Sequence, residues 1–106
     1  MNLEDQKVAV TSISFGKSST LREKLLHIFP NSVFNEHGEK LHDKSLVKFI
    51  SDADAAIVGV EAIDNYLLEH APNLKIISTY GVGLDNIDQK ALKRRNISLG
   101  WIGGVN

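Results

Sequence analysis

Apolar residues in this 106-residue chain fall into short runs separated by amphipathic stretches. Residues 8–15 (VAVTSISF), 32–34 (SVF), 55–60 (AAIVGV), 74–79 (LKIIST) and 97–101 (ISLGW) read as five strands. The run AAIVGV does not alternate, as expected of a strand covered on both faces. Helical spacing predicts four helices between them. In the first, Leu21, Leu25, Ile28 and Phe29 form one stripe, Thr20 and Glu23 have capping-box spacing, and Pro30 and Asn31 end it. The second lies in LHDKSLVKFI, with Asp43 as N-cap and Leu46, Val47 and Ile50 inward. The third runs from Ile63 to His70, stopped by Pro72 and Asn73. The fourth runs from Ile87 to Arg95, with Asp85 or Asn86 as cap, Lys93, Arg94 and Arg95 in its last turn, and Asn96 in the left-handed closing position. Strands alternating with helices predict a flavodoxin-like α/β sandwich: a five-stranded, mainly parallel sheet with helices on both faces. Ligands of such folds sit beyond the carboxyl ends of the strands.

Composition narrows the function classes. The net charge of −1 leaves no basic footprint for nucleic acid or an anionic membrane. No apolar run reaches the ~20 residues of a membrane helix, and the N-terminus lacks the pattern of a signal peptide. The absence of cysteine suits a reducing cytoplasm. Repeats and linkers are absent, so the chain reads as one domain.

Two loops offer chemistry. FGKSST, residues 15–20, has the tail of a phosphate loop, but the glycine required five residues before Gly16 is Thr11. It is read as a capped turn or as an anion-holding loop. STYGVGLDNID, residues 78–88, joins a strand to a helix through Gly81 and Gly83. A dinucleotide fingerprint needs a small residue at position 86, which is Asn86, and Asp85 and Asp88 would repel a pyrophosphate there. Two readings stay open: backbone N–H groups holding a smaller anion, or glycines supplying unusual dihedrals. The histidines, His27, His37, His42 and His70, lack the spacing of a metal site. Asp52 and Asp54 read as a solvated turn.

The stretch NLKIISTYGVGLDNIDQKALKRRNISL resembles a segment of the D-isomer-specific 2-hydroxyacid dehydrogenases, the family that contains D-3-phosphoglycerate dehydrogenase. The match runs from Pro72 to Leu99, with Gly81 to Asp88 as its specific core. The resemblance implies that residues 1–106 are a single, truncated substrate-binding domain, inactive alone. It implies an NAD or NADP domain elsewhere, carrying the catalytic Arg, Glu and His, and an intact enzyme that is a homodimer. It implies a small 2-hydroxy or 2-oxo acid as substrate. Backbone N–H groups at Val82 and Gly83 then hold the substrate carboxylate, and Tyr80 and Gly81 shape the rim. Ser14, Phe15 and Gly16, with Gly59, Val60 and Glu61, are expected near the substrate's far end. Where the family commonly reads N-T-P-G-x-N, this chain reads GWIGGVN, residues 100–106. Gly103, Gly104 and Asn106 are expected at the interdomain hinge, beside the bulky Trp101. The rival readings are a flavodoxin-like FMN binder, supported by the hydroxyl-rich TSISFGKSST, a receiver-type signalling domain, which lacks its acidic cluster, and a stand-alone interaction module.

Overall fold

The computed structural model describes residues 5–80 and 83–102. Its elements run β1 (Val8–Val10), α1 (Ile13–Lys17), α2 (Ser19–Ile28), β2 (Ser32–Phe34), α3 (Asp43–Ile50), β3 (Ala55–Val58), α4 (Asn65–Glu69), β4 (Ile76–Tyr80), α5 (Gln89–Arg94) and β5 (Ser98–Ile102). The five strands pair in the order β2-β1-β3-β4-β5, and every pairing is parallel. This is the flavodoxin-like order. The chain reverses its direction of travel across the sheet at β1, and the gap beyond β1 and β3 is where such folds bind ligands.

β1 and β3 are apolar on both sides because both sides are covered, whereas β4 alternates and leaves Ile76 exposed. Ala9, Ala56, Val58 and Ile77 face a core completed by Leu46 and Ile50 of α3, Leu67 and Leu68 of α4, and Ala91 and Leu92 of α5. Val8, Val10 and Ile57 face the opposite way, onto Phe15, Phe34 and the half-buried Leu21, Leu25 and Phe29. Burial of each large aliphatic side chain contributes about 1.5–3 kcal/mol. Deleting one from so thin a core would cost more, because the cavity cannot close fully.

Local chemistry moves several boundaries. The first strand ends at Val10, not Phe15, because the Ser12 hydroxyl accepts from the Phe15 N–H and starts a helix there. That helix is the fifth, unforeseen in the sequence. Ser18 then turns out of helical geometry and caps α2 by accepting from the Leu21 N–H (3.3 Å), so Ser18 rather than Thr20 is the cap. Ile28, expected on the inward stripe, is exposed. In α3 the cap position belongs to His42. Ser45 Oγ accepts from the His42 N–H (3.0 Å) and donates to the His42 carbonyl (2.9 Å), while Asp43 has φ of 47°. Asp88 caps α5, displacing both Asp85 and Asn86 from that role. Asn96, with φ of 58°, closes α5 in the left-handed region as expected. Gly81, Val82, Gly103, Gly104 and Asn106 lie outside the described residues.

At the amino edge of the sheet, Asp54 does more than a solvated turn would. Its carboxylate accepts from the Lys7 backbone N–H (2.8 Å) and from Lys75 Nζ (3.4 Å), tying the entries of β1 and β4 to that of β3. Asp52 pairs with Lys7 Nζ at 2.8 Å and stays exposed; hydrogen bonding to that ammonium holds its carboxyl below the ordinary 3.8. Asp54→Ala should therefore cost about 1–3 kcal/mol, since it strands a backbone donor. Asp52→Asn should cost under about 1 kcal/mol, as exposed pairs do. A depressed carboxyl stabilises above its unfolded pKa and ceases to as pH falls through its folded one. The small Asp52 contribution should thus be present at neutral pH and be lost progressively as pH falls below about 4. Urea denaturation of both variants at pH 7 and pH 3 checks the ranking and the sign.

Candidate functional site

Beyond the carboxyl edge, where β1 and β3 part, lies an open cleft of about 330 Å³ lined by Ser12, Ile13, Ser14, Lys17, Gly59, Val60, Glu61 and Tyr80. Its volume is within the usual range of small-molecule sites. The floor is a polar knot. Glu61 is 9% exposed, and its Oε1 accepts from Thr11 Oγ1 (2.6 Å) and from the Gly59 N–H (2.9 Å). One buried carboxylate oxygen thus joins the end of β1 to the turn after β3. Tyr80, at the end of β4, stands edge-on to the buried Phe15, ring centroids 5.3 Å apart and planes at 88°. Such edge-to-face pairs are a favoured aromatic geometry.

Two loops border this floor, and Asn86 joins them. Its side-chain amide donates to the Gly59 carbonyl (2.8 Å) and to the Glu61 carbonyl (2.7 Å). Two carbonyl acceptors can be served only by the NH₂ group, so the orientation of this amide follows from chemistry. The backbones pair as well. The Ile63 N–H donates to the Asn86 carbonyl (2.9 Å), and the Asp88 N–H donates to the Ile63 carbonyl (2.9 Å), making a parallel bridge between Ile63 and Ile87. Both isoleucines are buried, so apolar burial backs the polar clamp. The loop that opens with Tyr80 is thereby held at both ends, by β4 and by Asn86.

The expected site residues divide. Ser14, Gly59, Val60, Glu61 and Tyr80 line the cleft. Phe15 points into the core beneath it, and Gly16 lies on α1 with its carbonyl taken by Arg22 Nη1 (3.1 Å). Neither is part of the described lining, because residues 13–17 coil into a helix instead of extending past the sheet. Gly81 and Val82 lie outside the described residues. Gly83 is exposed, and among the described residues a Cβ there would meet no atom within 4 Å. Ser12, Ile13 and Lys17 were missed. The signal for them was Ser12 itself, a helix-capping residue hidden inside an apparent strand. With Ser12 capping α1 and Ser18 capping α2, FGKSST is a capped turn between two helices.

These features define an α/β domain with an open cleft at its topological switch point. A model of the D-isomer specific 2-hydroxyacid dehydrogenase catalytic domain matches residues 8–106, and the chain belongs to that family. It is similar to a glyoxylate reductase of Pyrococcus furiosus, 40% identical over 70 residues, covering 65% of this chain and 20% of that protein. It is also similar to an erythronate-4-phosphate dehydrogenase of Idiomarina loihiensis, 37% identical over 60 residues, covering 56% and 16%. Among solved structures, a Pyrococcus horikoshii protein superposes with a TM-score of 0.80 at 26% identity, covering 94% of this chain and 28% of that one. An NAD⁺-bound 3-phosphoglycerate dehydrogenase of Entamoeba histolytica shares the fold, with a TM-score of 0.71 at 23% identity, covering 91% and 32%. The chain spans about a fifth or less of the length of these curated relatives.

If Asn86 is the clamp, Asn86→Asp should be worse than Asn86→Ala. A carboxylate cannot donate and would face two carbonyl oxygens. We expect losses of about 1–3 kcal/mol for the alanine variant. Amide exchange should accelerate at Ile63 and Asp88 while Ile77 stays protected. Unchanged exchange at Ile63 and Asp88 in both variants would contradict the clamp.

Proposed function

We propose that residues 1–106 form a substrate-binding unit of an NAD(P)-dependent oxidoreductase that interconverts a D-2-hydroxy acid and its 2-oxo acid. One observation carries this reading beyond family membership: the loop opening at Tyr80 is clamped by Asn86 against the turn after β3, at the mouth of the cleft. Fixing the ends of a binding loop lowers the entropic cost of ordering it on a ligand. In this reading consecutive N–H groups of Val82 and Gly83 hold the substrate carboxylate. Tyr80 and Gly81 shape the rim, and Ser14, Gly59, Val60 and Glu61 face the substrate's other end. Gly103, Gly104 and Asn106 belong to the hinge toward a coenzyme domain, and domain closure there excludes water from the reaction.

The described residues do not fit a dinucleotide. Asn86 stands where the fingerprint needs a small residue, with its amide already bound to two carbonyls. The Asp88 carboxylate caps α5, where a pyrophosphate would meet its charge. We therefore assign NAD or NADP to residues outside this chain and no hydride-transfer step to these residues. A cytoplasmic setting accords with the cysteine-free composition, and among the described residues no helix is long and apolar enough to cross a membrane. A homodimeric whole enzyme follows from the family resemblance.

The purified chain is expected to bind glyoxylate without oxidising NADH. In a ¹⁵N-resolved titration, amide shifts should concentrate at Tyr80 to Leu84 and Gly59 to Glu61. Turnover by the chain alone, or shifts confined to other surfaces, would refute the assignment.

A further inference from the structure

The relatives' names pair a two-carbon acid without a tail, glyoxylate, with a phosphorylated one, erythronate 4-phosphate. Family membership therefore leaves open what the substrate carries beyond its reacting carbon. The cleft floor bears on that choice. Of the two Glu61 oxygens, Oε1 is taken by Thr11 and Gly59, while among the described residues no donor reaches Oε2. Glu61 itself borders the cleft, so its carboxylate forms part of the cleft wall.

We propose that Glu61 sets the tail specificity of this site, accepting a hydrogen-bond-donating hydroxyl and rejecting a phosphate or a second carboxylate. The proposal rests on the carboxylate-binding reading above. Glu61 cannot easily swing away from an approaching anion. Its side chain is held through Oε1, and its backbone carbonyl is held by Asn86 at 2.7 Å. A fixed, 9%-exposed carboxylate is poorly screened by water, so a like charge brought beside it is strongly disfavoured. A hydroxyl instead donates to Oε2 in a charge-assisted hydrogen bond, with roughly twice the strength of a neutral one. Lys17 is the other charged residue among the described lining. It is exposed at the end of α1, where its ammonium keeps its hydration and its stem stays flexible. It offers a distal anion a weak, screened partner at the rim and does not neutralise the floor.

The test is a matched set of 2-hydroxy acids, glycolate, D-glycerate and D-3-phosphoglycerate, titrated calorimetrically into the purified chain. D-Glycerate should bind more tightly than glycolate, and D-3-phosphoglycerate at least about tenfold more weakly than D-glycerate. In Glu61→Gln the D-glycerate to D-3-phosphoglycerate affinity ratio should fall toward one. If that variant is unfolded by circular dichroism, the wild-type ratio alone decides. Binding of all three ligands without discrimination, or tighter binding of the phosphorylated acid, overturns the tail assignment and leaves carboxylate binding standing. Failure of all three to bind overturns both.

Discussion

The site depends on one side-chain amide. Asn86 spans two loops that belong to neighbouring strands, and it satisfies the carbonyls of Gly59 and Glu61. Parallel strands leave their carboxyl ends side by side but unconnected, because each chain exit departs into its own helix. Something must therefore fix the exits relative to one another if they are to share a ligand. Here three devices do so in sequence. Glu61 joins the end of β1 to the turn after β3, Asn86 joins that turn to the loop after β4, and the Ile63–Ile87 bridge carries the pairing outward. At the other edge, Asp54 performs the corresponding service for the strand entries. The sheet between is mostly apolar and indifferent to ligand.

This arrangement explains why a glycine-rich strand-to-helix junction need not bind a nucleotide. In a dinucleotide loop the helix start faces the pyrophosphate and stays free of acidic side chains. In this chain the start of α5 is capped by Asp88, and the residue that the fingerprint would make small is the clamp itself. In the proposed reading the ligand-facing donors lie upstream, before the helix, and serve a carboxylate instead of a pyrophosphate.

Much of the architecture was legible because it follows from periodicity. AAIVGV carries apolar residues to both faces, and that pattern has few structural solutions besides a covered parallel strand. Left-handed Asn96 was legible for the same kind of reason, since few residues adopt that geometry. What failed was local competition. VAVTSISF is β-branched and apolar enough to be strand throughout, yet Ser12 offers its hydroxyl to the Phe15 N–H and the chain coils early. That error hid Ser12, Ile13 and Lys17 from the cleft and placed Phe15 and Gly16 at its surface. Asn86 was misread in the opposite sense. Its sequence neighbourhood suits a helix cap, and only the tertiary fold brings two carbonyls within its reach. Long-range polar contacts of this kind leave no periodic trace.

The central claim is that this domain holds the substrate carboxylate on the backbone of the loop after β4. A crystal structure of the chain with oxamate, an unreactive analogue of a 2-oxo acid, addresses it directly. The account predicts the oxamate carboxylate within about 3 Å of the Val82 and Gly83 backbone nitrogens, with its amide end toward Glu61. A carboxylate seated instead on Lys17, or anywhere away from the loop that Asn86 clamps, would contradict it.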